Sequence, residues 1–355
     1  MSEVYNLPQM TEDSGLPSTA RLLSLIDAMA GQPVVMLVDM VADRFVSGSP
    51  KRISREAPVL ILRHDSDELI PGGGANAVAN VHALGGTPLP LGVVGDDPSG
   101  RDLVALFAER AIPTEGIAVR SGYRTPTKVR ILGGGRHAIK QQIVRYDIED
   151  SVDLGPAEAE TFEQALAAWK GQAGAAVLSD YGYGSVQPDM TATLREALAE
   201  GGQVLCDSRY RLADFAGVDG ATPNAEEAEG ILERELNGDL AGAGADLRSR
   251  LDCPTLLVTR GSSGMSLFSA AGTAHLPVHG TTQVADVTGA GDTVIGTFAL
   301  ATAAGATPIE AALLANYAGG VVVMKMGTAT LSREELTAAV RDDPALLDEV
   351  RWAES

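Results

Sequence analysis

Cysteine, aromatic residues and cations are all scarce in this sequence of 355 residues. Only Cys206 and Cys253 are present, which excludes a disulfide framework and favours a reducing compartment. Aromatic residues make up 4% of the chain, too few for the stacking platforms that bind single-stranded nucleic acid. Lysine and arginine number 27 against 47 acids, and the net charge of −20 argues against duplex DNA and anionic membranes as partners.

Long apolar runs and targeting signals are missing as well. No segment approaches the roughly 18–20 apolar residues that a membrane span requires. Residues 1–15 contain no cation, which excludes a secretory signal peptide. The apolar fraction of 45% is nevertheless sufficient for a sizeable buried core. We therefore expect a cytoplasmic protein with neither a nucleic-acid nor a membrane partner.

Five short segments are apolar throughout and do not alternate with polar residues: 32–38, 89–94, 174–178, 202–205 and 255–258. A strand of this kind is buried on both faces, which is typical of a parallel sheet. Alanine-rich segments of helical character lie between them, at 75–84, 100–110, 157–169 and 188–199. The alternation predicts an α/β fold with a doubly wound, mostly parallel sheet flanked by helices.

Residues 43–70 and 122–148 interrupt this pattern because they are rich in β-branched and charged residues. The three glycines at 133–135 predict a hairpin within the second segment. We interpret the two segments as a small β-sheet, called the lid from here on, that projects from a main domain at 31–340. Residues 1–30 are expected to form an N-terminal extension with a short helix, and residues 341–355 a C-terminal tail.

The lid segments concentrate positive charge. Residues 44–55 and 120–145 hold 11 of the 27 cations and no acid. A basic surface on an acidic protein favours an anionic small-molecule substrate, whereas the alternative is that outward-facing strand positions carry cations for solubility. Guanidinium and ammonium groups suit phosphate binding, and the candidates for it are Arg44, Arg52, Lys128, Arg130 and Arg145.

The strongest local motif is Asp286-Val-Thr-Gly-Ala-Gly-Asp292, which precedes a helical run at 293–304. Glycines at the start of a helix leave backbone N–H groups unobstructed, and the helix dipole adds positive charge, so the segment is suited to holding a phosphoryl group. The carboxylate of Asp292 can accept the proton of an attacking hydroxyl. The alternative is an ordinary capping acid beside a turn, but a second acid at Asp286 and the intervening Thr288 favour the functional interpretation.

Two motifs resemble those of a known family. The segment Asp286–Asp292 is similar to the second signature of the ribokinase-like (PfkB) carbohydrate kinases, and Gly72-Gly-Gly-Ala-Asn76-Ala-Val-Ala-Asn80 is similar to the first. Asp39 with Asp43-Arg44-Phe45, followed by residues 52–59, is more closely similar to the kinase domain of the enzymes of ADP-heptose synthesis. The resemblance covers residues 33–340 and implies a ribokinase-like fold and an ATP-dependent sugar kinase. The implied acceptor is O1 of D-glycero-β-D-manno-heptose 7-phosphate.

The resemblance also implies roles for single residues. Asp292 matches the catalytic base, and Gly289, Ala290 and Gly291 match the anion hole. The substrate-binding candidates are Asp39, Arg44, Gly73, Gly74, Asn76, Lys128, Arg145 and Asp180. The nucleotide-binding candidates are Asn224, Glu227, Asp207, Arg209, Thr259, Gly261, Gly264, Asn316 and Lys325.

Metal ions and assembly are implied in the same way. Glu227 is expected to hold Mg²⁺ through water, because magnesium keeps several of its waters. Asp286 and Thr288 match positions around a monovalent cation such as K⁺. A homodimer is expected from the resemblance as well. The nucleotidyltransferase domain of the bifunctional relatives carries an H-x-G-H motif, which is absent from this sequence, so we expect kinase activity alone.

The sequence departs from the family pattern at three places. The family's Gly-Asp pair reads Val38-Asp39, its D-Y-A-K-G reads Asp180-Tyr-Gly-Tyr183-Gly184, and its D-P-K-G reads Asp207-Ser-Arg209-Tyr210. Two lysines are thereby replaced, which leaves the acceptor open. The alternatives are a kinase of a hexose phosphate, ketose or nucleoside, and a non-catalytic regulatory protein that binds a sugar or a nucleotide.

Overall fold

A ten-stranded sheet lies at the centre of the structure, a computed structural model that describes residues 16–135, 140–236, 240–280 and 285–354. The strands are β1 (Pro33–Val38), β2 (Met40–Ile53), β3 (Leu60–Gly72), β4 (Thr87–Gly95), β5 (Ile117–Arg120), β6 (Thr127–Gly133), β7 (Gln141–Ile148), β8 (Ala175–Asp180), β9 (Gln203–Ser208), β10 (Gly220–Ala221), β11 (Thr255–Thr259), β12 (Met265–Ser269), β13 (Gly272–Leu276) and β14 (Arg351–Glu354). The helices are α1 (Thr19–Ala28), α2 (Gly73–Ala83), α3 (Pro98–Glu109), α4 (Pro156–Trp169), α5 (Met190–Ala197), α6 (Ala225–Leu232), α7 (Leu240–Leu251), α8 (Ala290–Ala303), α9 (Pro308–Val322) and α10 (Arg333–Asp342).

The central strands follow the order β14-β13-β12-β11-β10-β9-β8-β1-β4-β5. Neighbouring strands from β11 to β5 are parallel, whereas β12, β13 and β14 add antiparallel strands at one edge. The doubly wound, mostly parallel sheet expected from the sequence is therefore confirmed. The carboxyl ends of its parallel strands meet on one side, which is where open α/β sheets bind ligands.

The strand β1 shows why the parallel strands are apolar throughout. Val34, Met36 and Val38 pack into a core cluster that includes side chains of α1, α2, α8 and α9, whereas Val35 and Leu37 pack into a second cluster with α4 to α7. Successive side chains of a strand point to opposite faces. Because helices cover both faces, every position of β1 after Pro33 is buried.

The lid is a separate four-stranded sheet in the order β3-β2-β6-β7. The pairs β2–β3 and β6–β7 are antiparallel, and β2 and β6 are parallel. The expected hairpin around 133–135 thus joins β6 to β7, although Arg136 in its loop lies outside the described residues. The strand β2 begins two residues after β1 ends, so the lid is directly connected to the carboxyl edge of the main sheet.

The first and last described segments of the chain contact the main domain. Helix α1 packs against α10, and its Arg21 forms an ion pair with Glu310 of α9 at 2.7 Å. The segment that we expected to be a tail, 341–355, contains the end of α10, a 3-10 helix at Pro344–Glu349 and β14, which pairs with β13. It is therefore part of the main sheet. Among the described residues, no helix combines the length and the apolar character needed to cross a membrane.

Candidate active site

The site is built around the N-terminus of α8, where the glycine-rich motif ends. Gly289 precedes the helix with φ of +78°, a left-handed conformation that glycine adopts without strain. A Cβ at this position would lie 2.6 Å from the Nδ2 atom of Asn76, so a larger residue would displace that amide. In the first turn, the backbone N–H groups of Gly291 and Asp292 have no acceptor within the helix, whereas those of Ala290 and Thr293 donate to Val287 O and Gly289 O. The N–H groups of Gly291 and Asp292 are therefore available to an anion.

Asp292 lies in the first turn of α8 and its side chain is buried. Its Oδ2 accepts a hydrogen bond from Asn76 Nδ2 at 3.0 Å, and its Oδ1 accepts one from the Tyr181 hydroxyl at 2.8 Å. Burial raises the pKa of Asp292 to about 7, although both hydrogen bonds act to lower it. A carboxylate with a pKa near 7 is well suited to general base catalysis.

The glycines before α2 bring the helix close to this carboxylate. A Cβ on Gly73 would lie 2.9 Å from Val41 Cγ2, and a Cβ on Gly74 would lie 2.6 Å from Val38 Cβ. Only glycine permits this approach of α2 to β1 and β2, and the approach places Asn76 beside Asp292. The expectation for Asn76 was a sugar contact, but its amide holds the carboxylate instead.

The lid contributes cations to the site through its register. In the parallel pair, Lys128 is opposite Asp43 and Arg130 is opposite Phe45. Arg130 donates to the buried Asp43 at 2.6 Å, and Thr328 donates to the other oxygen of Asp43 at 2.5 Å. The ammonium of Lys128 lies 5.4 Å from the centre of the Tyr181 ring. One face of the lid therefore points toward Asp292.

Most other lid cations are paired with acids, which corrects the argument made from their acid-free segments. Arg44 forms two hydrogen bonds to Asp67 of β3, at 2.8 and 2.7 Å. Arg145 pairs with Asp147 on its own strand. Asp147 lies two residues beyond the second segment counted in the sequence. Asp67 lies twelve residues beyond the first, and strand pairing brings it opposite β2. Arg44 and Arg145 are thus neutralised locally, and Lys128 is the substrate-binding candidate that faces the site.

Two further substrate-binding candidates have their carboxylates occupied. Asp39 is fully buried and accepts from the backbone N–H groups of Tyr181, Tyr183 and Ser185. Asp180 accepts from Ser208 and from the guanidinium of Arg211, at 2.6 to 3.1 Å. Each therefore fixes a loop at the carboxyl edge of the sheet, and neither offers a free oxygen pair to a sugar hydroxyl.

Asp207 and Glu227 form a cluster of negative charge near Asp292. Burial raises the pKa of Asp207 to about 8, and repulsion from Glu227 and Asp292 adds to the shift. Burial also raises the pKa of Glu227, and the Arg209 guanidinium partly offsets it. In the described part of the chain no group of three or more side chains could ligate a metal ion directly. A cation near Asp207 and Glu227 would relieve the repulsion between their carboxylates.

Asn224 and Glu227 also have a structural role, because they form the start of α6. The Asn224 side chain accepts from Glu227 N–H, and Glu227 Oε2 accepts from Asn224 N–H, both at 2.9 Å. This is a capping box that begins α6. One carboxylate oxygen of Glu227 is therefore bound at the start of the helix. The backbone of Asn224 also forms a parallel β-bridge with Thr259 of β11.

The remaining nucleotide-binding candidates differ in whether they already have structural partners within the protein. Gly261 borders open space, and a Cβ on Gly264 would lie 2.1 Å from Leu276 O, so Gly264 is required by the tight turn into β12. Asn316 is buried and donates to Pro277 O. Lys325 donates to Thr330 O and to the Glu335 carboxylate, so its ammonium already has two structural partners. We therefore do not retain Lys325 as a nucleotide contact.

Asp286 closes the glycine-rich loop on itself. Its Oδ1 accepts from the N–H and the hydroxyl of Thr288, and its Oδ2 accepts from Gly327 N–H. Burial pushes the pKa of Asp286 up, but these hydrogen bonds outweigh it and leave the pKa below its usual value. The carboxylate is thus charged and orders the loop through these hydrogen bonds.

Tyr181, Asp43 and Thr328 are site residues that our sequence reasoning did not assign. Tyr181 and Asp43 appear in the segments that carry the family resemblance, but nothing in their spacing indicates contact with Asp292 or its surroundings. Thr328 is 285 residues from Asp43 in sequence. Only the packing of the lid and the 327–328 loop against the main domain brings them together.

Comparisons with known proteins identify the family of this chain. Residues 35–335 match the model of the pfkB family carbohydrate kinases. The bifunctional protein HldE of Mesorhizobium japonicum is 37% identical over 328 residues, and that of Halorhodospira halophila is 40% identical over 339. These alignments cover 91% and 90% of this chain but 65% and 68% of the relatives. The chain thus spans about two thirds of the length of the curated relatives it matches.

Solved structures show the same fold. Phosphofructokinase-2 from Escherichia coli, in complex with substrates and products, has a TM-score of 0.69 at 18% identity and matches 88% of this chain and 99% of that one. Ribokinase from Arabidopsis thaliana, complexed with ribose and ATP, has a TM-score of 0.65 at 18% identity, with the same coverage. The fold expected from the resemblance is therefore confirmed. Since the family match extends over most of the sequence, the chain belongs to the pfkB family of carbohydrate kinases and is an ATP-dependent sugar kinase.

Proposed function

We propose that this chain transfers the γ-phosphoryl group of ATP to a hydroxyl of a phosphorylated sugar, with O1 of D-glycero-β-D-manno-heptose 7-phosphate as the acceptor. The observation that carries the proposal is the buried Asp292 carboxylate at the open N-terminus of α8, with a pKa of about 7. The acceptor itself rests on the sequence resemblance to the kinase domain of ADP-heptose synthesis.

In the proposed reaction Asp292 accepts the proton of the sugar hydroxyl as its oxygen attacks the γ-phosphorus. The backbone N–H groups of Gly289 and Gly291 and the dipole of α8 stabilise the negative charge on the transferred group. The N–H group of Ala290 donates to Val287 O and would have to leave this acceptor to join them. Positioning and electrostatic stabilisation supply most of the catalysis in phosphoryl transfer. Asn76 supports this role because it keeps the carboxylate directed at the helix mouth.

Magnesium would be held through water by Glu227, with the charge of Asp207 close by. When bound, the ion neutralises phosphate oxygens of ATP. The raised pKa values of Asp207 and Glu227 support this assignment, because a cation would relieve the repulsion that contributes to them. Arg209 lies within the same electrostatic environment and is proposed to contact the nucleotide phosphates. For K⁺ we propose the loop of Asp286 and Thr288.

The far-end phosphate of the sugar is proposed to bind Lys128. This ammonium faces the site, whereas the guanidinium groups of Arg44, Arg130 and Arg145 already contact carboxylates. An ion-paired hydrogen bond of this kind contributes roughly 1.5–3 kcal/mol, so its loss is expected to raise KM by about 10- to 100-fold.

A homodimer through the lid is proposed as the assembly. The strand β7 is an edge of the lid sheet, and Ile143, Val144 and Tyr146 on it are about half exposed. Exposed apolar side chains on an edge strand favour pairing with another copy. This supports the dimer expected from the sequence resemblance.

The test is a comparison of acceptors in an ATP- and Mg²⁺-dependent assay of ADP release. The panel contains the heptose 7-phosphate, fructose 6-phosphate, fructose, ribose and adenosine. We expect the highest kcat/KM with the heptose phosphate, and Lys128→Met is expected to raise KM for phosphorylated acceptors only. Lys51→Met removes an exposed cation at the far end of the lid and serves as the matched control.

Three outcomes would contradict parts of the proposal. A preference for uncharged sugars would refute the phosphorylated acceptor. Tight sugar binding without turnover would favour the regulatory alternative. Replacement of Asp292 by asparagine is expected to lower kcat by about 10²- to 10⁴-fold while ATP still binds, so near-normal turnover in Asp292→Asn would remove the assignment of the base.

A further inference from the structure

Tyr181 contacts two ionisable groups of the site, the Asp292 carboxyl group and the Lys128 ammonium. Its hydroxyl donates to Asp292 Oδ1 at 2.8 Å, and the ammonium of Lys128 lies 5.4 Å from the centre of its ring. The backbone of Tyr181 is fixed as well, since its N–H donates to the buried Asp39 at 2.8 Å. The ring also borders Gly73, where a Cβ would lie 3.3 Å from Cε2.

We propose that Tyr181 is a positioning residue, whose hydroxyl orients the Asp292 carboxylate and whose ring keeps the Lys128 ammonium from pairing with it. The inference rests on the proposed function, because it assigns a role relative to Asp292 as the base.

The hydroxyl acts together with Asn76. Tyr181 binds Oδ1 and Asn76 binds Oδ2, so the plane of the carboxylate is defined by one donor on each oxygen. A carboxylate can accept about four hydrogen bonds, which leaves a lone pair for the acceptor hydroxyl. Asn76 alone would permit the carboxylate to rotate about its Cβ–Cγ bond.

The ring acts as a spacer. A lysine in direct contact with a buried carboxylate forms an ion pair, and such a pair favours the charged, weakly basic carboxylate. The ring lies in contact distance of Lys128 for a cation–π interaction, so the ammonium has a partner that is not Asp292. Asp43 also acts on Asp292, raising its pKa, and Asp292 in turn raises the pKa of Asp207.

The first variant is Tyr181→Phe, which removes the hydroxyl and keeps the ring. We expect kcat to fall by about tenfold or more with little change in the KM for ATP, because a hydrogen bond to a charged group is lost. We also expect the acid limb of the kcat–pH profile to move to higher pH by about one unit, since the charged form of Asp292 loses a donor. Tyr183→Phe is the matched control, because its hydroxyl binds Glu149 in the same loop.

The second variant, Tyr181→Leu, also removes the ring and is studied with and without Lys128→Met. If the ring is a spacer, Lys128→Met shifts the acid limb upward in the Tyr181→Leu background much more than in the Tyr181→Phe background. Unfolding midpoints and ATP binding verify that each variant is folded.

The results separate the inference from the proposed function. Wild-type kcat and pH profile in Tyr181→Phe, or equal shifts by Lys128→Met in both backgrounds, would overturn the role of Tyr181. Full activity of Asp292→Asn would instead overturn the proposed function on which it rests. Loss of activity in Asp292→Asn together with the two shifts supports both.

Discussion

Replacing Asp292 by asparagine is expected to stabilise the protein at alkaline pH, although it removes the proposed base. Asparagine has nearly the same size, and its amide can retain both hydrogen bonds. Asn76 can donate to the amide oxygen, and the Tyr181 hydroxyl can accept from the amide nitrogen because a phenol both donates and accepts. What the variant loses is the buried negative charge.

The magnitude follows from the pKa of the buried carboxylate. The ordinary value is 3.8, and burial raises the pKa of Asp292 to about 7. The folded state therefore binds the proton more tightly than the unfolded state, so the favourable contribution is present below pH ~4 and is lost as the pH rises toward ~7. A shift of about three units at 1.36 kcal/mol each corresponds to about 4 kcal/mol, of which ~2 kcal/mol is lost between pH 5.5 and 8.

The assay is denaturant unfolding of the wild type and Asp292→Asn at pH 5.5 and pH 8, at constant ionic strength. We expect the free energy of unfolding of the variant, relative to the wild type, to increase by about 2 kcal/mol from the lower pH to the higher one. Asp286→Asn is the control, because hydrogen bonds outweigh burial and lower the pKa of Asp286, so that this carboxylate is charged in both states and its variant should differ from the wild type by the same amount at both pH values. A difference between Asp292→Asn and wild type that does not grow with pH would refute the reasoning.

Two further predictions concern the glycine loop and the assembly. Gly289→Ala places a Cβ against the Asn76 amide at a position with left-handed backbone conformation. Because the backbone strain alone is about 1–2 kcal/mol, steady-state kinetics should show a loss in kcat of more than tenfold. Gly291 is helical and uncrowded, so the control Gly291→Ala should keep the wild-type melting temperature. Val144→Asp on the lid should convert the dimer into a monomer, as measured by sedimentation velocity. Val119→Asp, which changes another exposed apolar residue on the main sheet, should leave the dimer intact. A wild-type protein that is already monomeric would contradict the lid dimer.

The main sheet was predictable because its signal is local. Each of the five apolar segments corresponds to a strand whose ends differ by at most three residues from the prediction. A run such as 33–38 has no polar position, and burial on both faces of a parallel sheet is the arrangement that this permits. The C-terminal β14 was missed because an edge strand of four residues carries no comparable apolar run.

The site was predictable where chemistry follows from neighbours in sequence. The glycines and Asp292 form one helix start, so their proximity is a property of the local chain. The lid cations show the opposite case. Arg44 was counted as free because its own segment contains no acid, yet Asp67 is placed against it by an antiparallel pairing that the count could not include.

The sequence by itself determined the parallel sheet, the glycine-rich helix start and the carboxylate within it, because each depends on residues that are close in the chain. The tertiary structure decided which groups surround that carboxylate. Asn76 and Tyr181 are 216 and 111 residues away from Asp292 in sequence, and packing brings both to its two oxygens. The same packing commits Asp39 to three backbone N–H groups. These partners depend on how elements that are distant in sequence pack together, and the spacing of residues along the chain does not specify which of them will be close in space.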